Sequence, residues 1–414
     1  MAKFFLASIL SASFLIVATT GVVQAEEVFQ FAVQAEQVAR KDSPIWVDLP
    51  KALQNVEGDL VLRQAAGGGQ VVSQKSEDGK RLVFIPKEEI PATQGRLYQI
   101  QVVPKSDSTP ADSTFAVRCI KDDKTVSLAL GDQKILTYNT AVLEPPAGTS
   151  ELYRRSGFIH PFVTPQGKVV TDGFPSDHLH QHGIFAAWTK TFFEGEGVNF
   201  WDQLGGTGTV GHREILETTS GDVFASFKVR LAHVLTKGEP RDVLDEVWTV
   251  RLYNLPKMHQ FDIESVQTCV AKTPLTIAEY HYGGFAYRGS AEWIKNDQHH
   301  IITNETDDRE VGNHTKPNWV GVYGPVQGDL CGAAMFSHPT NFRSPQPVRL
   351  HPSMPYFVYS PAVLGEFELA PGKPFAAKYR YLSYDGKPDA KRLDSAWKNY
   401  SSAPKIQWVT ATAP

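Results

Sequence analysis

Short apolar runs separated by Gly, Asn and Asp turns fill residues 28–104, with no helical period among them. Segments 29–33, 45–49, 60–62, 81–85 and 97–103 read as strands, spaced as in a small immunoglobulin-like β-sandwich. Residues 105–113, rich in Ser, Asp, Thr and Pro, read as a linker or long loop. A second series of strand patterns follows. Segments 125–130 and 134–138 flank a Gly-Asp turn as a hairpin, and 223–235, 243–252 and 260–270 form three longer strands. Residues 261–266 alternate cleanly, which predicts one buried and one wet face. Further runs lie at 275–282, 319–323, 332–336, 356–359 and 376–384. One stretch, 388–400, is helical, with Leu393, Trp397 and Tyr400 on a single stripe. The pattern therefore predicts an all-β chain, a small immunoglobulin-like sandwich at 26–113 followed by a large antiparallel β-sandwich at 114–414 with a C-terminal helix.

The first residues read differently. Lys3 precedes an apolar, small-residue run at 4–23, and Val23-Gln24-Ala25 fits a small-x-small cleavage site ahead of Glu26 and Glu27. Residues 1–25 are thus expected to be a secretory leader and the mature protein periplasmic or secreted, with no membrane partner once the leader is cleaved. Three cysteines, Cys119, Cys269 and Cys331, allow one disulfide at most, and each sits in an apolar strand context that favours a buried thiol. A net charge of −4 offers no electrostatic case for nucleic acid. The eight Trp, fourteen Tyr and twenty-three Phe leave aromatic rings to spare for stacking on sugars.

The densest chemistry is Asp177-His178-Leu179-His180-Gln181-His182-Gly183, ahead of the apolar run 184–188. If extended, this stretch points His178, His180 and His182 to one face, with roots roughly 6.5–7 Å apart. Such a row suits the polar floor of a pocket, and it suits the ligation of one divalent metal ion equally well. Asn199-Phe200-Trp201-Asp202 offers a wall through Trp201 and Asp202, with Trp188 as a second platform. His212, Arg213 and Glu214 place a base, a cation and a carboxylate in sequence, His212 and Glu214 sharing a strand face. Glu279 and His281 share another, ahead of Gly283-Gly284. His338 and Arg343 sit on a loop after an apolar strand, and His160 precedes a Pro-Gln-Gly turn. No Gly-rich loop lies between a strand and a helix, and no nucleophile elbow is present.

Taken in order, Ser156-Gly157-Phe158-Ile159-His160-Pro161, the Asp177–Gly183 run, Asn199-Phe200-Trp201, Gly208-Thr209 with His212, and Phe336-Ser337-His338-Pro339 form a set that resembles one family. It is the group of secreted bacterial proteins, common in Planctomycetes, filed as "methane oxygenase PmoA", and the resemblance spans residues 125–385. The name implies copper-dependent oxidation, whereas the membrane subunit that bears it spans the bilayer many times and this mature chain has no spanning run. Many members carry Pro and His-Arg where this chain has Leu179 and Gln181-His182, so the usual arginine has no counterpart here. The antiparallel pattern also resembles the galactose-mutarotase type of supersandwich, whose enzymes use His with Glu or Asp for proton transfer on sugars.

These readings converge on an exported carbohydrate-active enzyme, a lyase, hydrolase or epimerase acting on a glycoside or oxidised sugar, as a small molecule or an oligosaccharide. His178, His180 and His182 would be catalytic or metal ligands, with Glu214 or Glu279 as the carboxylate partner. Asp177, Trp188, Trp201, Asp202, His160, His212, Arg213, His281, His338 and Arg343 would contact substrate. The competing classes are a sugar-binding protein without turnover and a copper-dependent oxidase.

Overall fold

The computed structural model describes residues 28–67, 69–104, 116–255, 257–296 and 298–409. The expected leader and the expected linker lie outside the described residues. Two eight-stranded antiparallel sheets face each other and make the large sandwich. One runs, edge to edge, through Val348–Leu350, Tyr356–Tyr359, Gly283–Arg288, Ile184–Trp188, Phe158–Phe162, Gln133–Asn139, Thr125–Leu130 and Val117–Lys121. The other runs through Gly208–Thr219, Phe224–Leu235, Arg241–Tyr253, His259–Cys269, Phe375–Asp385, Asp329–Ser337, Trp319–Val326 and His300–Thr303. Alternation along these strands sends large side chains inward from both sheets, so rings meet across the gap. Phe162 lies 5.0 Å from Phe261, Phe285 4.8 Å from Tyr379, and Tyr138 6.1 Å from Trp248. A four-stranded sheet (Glu196–Val198, Thr191–Phe193, Leu275–Ile277, Phe367–Leu369) flanks the sandwich.

The small sandwich packs a five-stranded sheet against a three-stranded one around Phe31, Ile45, Leu82, Phe84 and Tyr98. Its composition departs from the expected boundary. Lys405–Val409 returns from the far end of the chain to pair antiparallel with Val28–Gln34, and Trp408 packs on Phe31 at 5.1 Å. The helix Ala390–Ser401 carries the chain there. It is capped by the Asp389 side chain, which accepts from Arg392 N, and its Leu393–Trp397–Tyr400 stripe lies on Trp319, Phe336 and Leu382.

The alternation at 261–266 is present, but its outer face is partly covered. Asp262 is buried under the small sandwich, where Arg380 donates to it at 2.6 and 2.9 Å and Tyr253 Oη at 2.8 Å. Trp46, Val83 and Ile85 meet Val223, Phe224 and Tyr253 in the same junction. The three cysteines form no disulfide, and burial pushes the Cys331 thiol up to about 12. Among the described residues no helix is long and apolar enough to cross a membrane.

Candidate active site

Segment 171–183 is a run of turns rather than a strand. His178 N donates to Pro175 O and Gln181 N to His178 O, while Gly183 N closes the loop on Asp172 O at 2.7 Å. Gly183 has φ +55°, and a Cβ there would stand 2.3 Å from Ile159 O, so only glycine lets the loop enter the strand Ile184–Trp188. The two-residue period therefore fails, and the three histidines do not share a face. His178 and His180 stay together, with rings 5.6 Å apart, at the mouth of a cleft. His182 turns inward and is fully buried against Phe158, Phe174 and Phe185. Its Nδ1 donates to Gly173 O at 2.8 Å and its Nε2 faces Gln203 Nε2 at 3.4 Å; burial, with the Arg155 charge behind it, keeps this ring neutral against the opposing pull of the Gly173 carbonyl. The expected three-histidine metal set does not fit this arrangement, because both nitrogens of His182 are occupied within the core. Among the described residues no group of three or more His, Cys, Asp or Glu side chains is gathered as a metal site.

The cleft holds about 250 Å³ and is lined by His178, His180, Gln181, Trp201, Asp202 and Tyr282, among others. Asn199 shapes one wall: its Oδ1 accepts from Trp201 N and Asp202 N, both at 2.9 Å, which turns the Trp201 ring onto Phe185. Asp202 in turn caps the short 3₁₀ turn Gln203–Gly205 and sets Oδ1 3.6 Å from His180 Nδ1. Burial lowers the His180 pKa, opposed by Asp202 and helped by His178, Arg155 and Arg288. Asp177 stands 3.7 Å from His178 Nδ1 and accepts from Arg288 Nη2 at 2.7 Å. Burial on its own would raise the Asp177 pKa, but His178 and Arg288 hold its carboxyl well below the usual carboxylate range. Arg288, fully buried, also donates to Gln181 Oε1 at 2.8 Å, so one guanidinium pins both ends of the histidine loop.

A second imidazole neighbour comes from the far edge of the sheet. His351 packs 5.7 Å from His178, and burial with the His178 and Arg349 charges brings its pKa down to about 4. Arg288 Nε, Arg349 Nε and Tyr356 Oη are buried without a hydrogen-bond partner. Tyr356 touches Trp201 and His351, and Arg349 lies over the Tyr282 ring, so these orphaned atoms gather around the cleft. Beneath the floor, Arg155 is buried over Phe185 with Nε and Nη1 unpartnered, and desolvation lowers its pKa to about 9.

Other expected residues fall elsewhere. Trp188 is 1% exposed and donates to Gln267 Oε1 from inside the core, so it is no sugar platform. Trp201, though 3% exposed, does reach the cleft wall. A bulge between His212 and Glu214 breaks their common face: His212 Nδ1 meets Tyr138 Oη at 3.2 Å, while Glu214 pairs with Arg230 and Arg213 with Asp242 on the outer surface. Glu279 is exposed on a loop after Leu275–Ile277 and is absent from the cleft lining, so the carboxylates beside the histidines are Asp177 and Asp202. His281 stacks between Tyr280 and Tyr282 at the rim. His160 bonds Thr171 Oγ1 behind the loop, and burial lowers its pKa to about 4. His338 packs on Tyr400, and Arg343 donates to the carbonyls of Pro361, Gly365 and Glu366 as a loop brace. Sequence reasoning missed Arg288, His351, Arg349, Tyr282 and Tyr356. Arg288 and Tyr356 sit in apolar strands and Arg349 and His351 at a short sheet edge, where no local pattern marks them, whereas Tyr282 adjoins His281 and its density of rings was a signal.

A two-sheet antiparallel sandwich with a loop-built polar cleft at its rim defines the class of protein. Two solved structures show a distant similarity to the chain. An α-mannosidase from Enterococcus faecalis V583 matches at 9% identity and TM-score 0.45, over 92% of this chain and 46% of that one, so the present chain spans less than half of its length. A galactose mutarotase related enzyme from Lactobacillus acidophilus matches at 9% identity and TM-score 0.32, over 66% of this chain and 100% of that one. No curated protein matches the sequence. The chain belongs to a family of unknown function, DUF6807, whose model matches residues 125–398. That description carries no oxygenase chemistry in support of the methane-oxygenase name.

Proposed function

We propose that the chain is an exported carbohydrate-active enzyme that moves a proton on a sugar, the first step shared by epimerases and lyases. The observation that carries this reading is the pairing of His180 and Asp202 under an aromatic wall. Burial keeps the imidazole neutral and so able to accept a proton, and the carboxylate 3.6 Å away would steady the imidazolium that forms. His178, tethered beside Asp177, is the second group able to give or take a proton across the same space. Trp201 and Tyr282 offer flat faces to a ring, and His178, His180, Gln181 and Asp202 on the same lining are the polar complement a polyol needs.

The test is exchange of sugar C–H protons with deuterium from solvent, followed by NMR over a panel of glycosides that includes 3-keto sugars. Wild type should exchange or convert at least one of them, and His180→Ala should slow that step by about 100-fold or more. Binding of a panel sugar with no exchange and no conversion would instead identify a sugar-binding protein without turnover. Equal rates for wild type and His180→Ala would remove His180 from the chemistry.

A further inference from the structure

The cleft does not end at Tyr280. A second recess of about 390 Å³ continues from it, sharing Thr189, Asn199 and Tyr280 and adding Lys190, Phe192 and Thr207. An aromatic track joins the two: Trp201 lies 6.2 Å from Tyr282, and Tyr282 6.2 Å from Tyr280. Beyond it Phe192 is 45% exposed and Tyr280 37% exposed, although rings of this size are ordinarily covered. The support under them is rigid. Thr191–Phe193 pairs with both Glu196–Val198 and Leu275–Ile277, Thr191 Oγ1 donates to Val198 O at 2.6 Å, and Ala278 N donates to Lys190 O. Phe192, held open on a paired strand, loses little freedom when a ligand covers it, and Tyr280 is tied at its backbone, where its N donates to Ala362 O.

Given the carbohydrate reading above, on which this inference rests, we propose that the ligand is an oligosaccharide of at least two rings. One ring occupies the space between Trp201, Tyr282 and the His178–His180 pair. The next lies over Tyr280 and Phe192, where Lys190 and Thr207 meet its hydroxyls. A pyranose has an apolar face and a polar rim, which is the pattern this recess presents.

The experiment is calorimetric titration of the mature full-length protein with a monosaccharide and its linear di- and trisaccharides, chosen from hits on a glycan array, beside Phe192→Ala. In wild type the disaccharide should bind at least tenfold tighter than the monosaccharide, and in Phe192→Ala that ratio should fall below threefold at an unchanged melting temperature. A disaccharide no tighter than its monosaccharide, or a ratio that Phe192→Ala leaves intact, overturns the two-ring site while the carbohydrate reading stands. No binding of any saccharide overturns that reading, and the two-ring site with it.

Discussion

Burial of imidazole is the residue-scale theme of this molecule, and it has a consequence for stability. His160 and His351 are held at about 4, against an ordinary value of about 6.5. As pH falls below about 6.5 the unfolded chain takes up these protons and the folded chain does not, until pH reaches about 4. Stability contributed by the neutral rings is therefore complete above pH 6.5 and is lost across that window. The loss should approach about 3 kcal/mol for His160 and be smaller for the half-buried His351, where water screens the shift. Urea midpoints should fall steadily between about pH 7 and pH 4.5, with a flatter fall in His160→Gln. Equal midpoints at the two ends would refute the buried-neutral assignment. The same scale shows what the sequence conveyed and what it did not. His178, His180, Trp201 and Asp202 stand out in the chain because polar groups crowd there beside aromatic anchors. His182 was expected to join them, yet its side-chain direction depends on the turn at Pro175 and on the glycine that follows it.

At the scale of elements, strands announce themselves wherever one face is dry. The long strands of the second sheet and the C-terminal helix follow from alternation and from a 3.6-residue stripe, local properties that need no knowledge of partners. Pairing is another matter. Lys405–Val409 is short, half-exposed and far from its neighbour in sequence, so nothing local marks it as the edge of the first sandwich. Its attachment is specific: Trp408 covers Phe31, and its Nε1 donates to Asp48 O at 3.2 Å. Trp408→Ala should cost about 2 kcal/mol, below the range for a fully buried Trp because the ring is partly exposed. Removal of residues 404–414 should cost more, since it also bares the edge of Val28–Gln34. Chemical denaturation of both variants checks this, and a truncated chain as stable as the intact one would mean the strand is dispensable.

At the scale of the whole molecule, the two sandwiches meet in a junction of mixed apolar and charged contacts. The junction combines an apolar patch at Trp46 and Phe224 with Arg251, which donates to Glu77 at 2.6 Å and to Glu264 at 2.7 Å, and with Gln74, whose Oε1 accepts from Val223 N and Phe224 N. Burial would lower the Arg251 pKa, but Glu77 and Glu264 overcome it and hold the guanidinium charged, so loss of Arg251 would leave the buried Glu77 carboxylate without its ion pair. The intact protein should therefore unfold in a single calorimetric transition, and Phe224→Ala combined with Arg251→Ala should split it into two. A single transition in the double variant would show that the sandwiches are coupled elsewhere, through the helix Ala390–Ser401 and its bond from Asn399 to Ala39 O.

What the sequence alone determined is the set of properties that arise between near neighbours: the all-β character, the helix near its end, and the place where imidazoles and aromatic rings concentrate. The tertiary structure decided which of those groups meet. Arg288 and His351 reach the histidine loop from strands or loops more than a hundred residues away, Asp177 and Asp202 take the position expected of Glu214 and Glu279, and His182 leaves the site for the core. Side-chain direction in a turn and contact across a sheet edge depend on chain closure over long separations. Neither leaves a periodic trace along the chain.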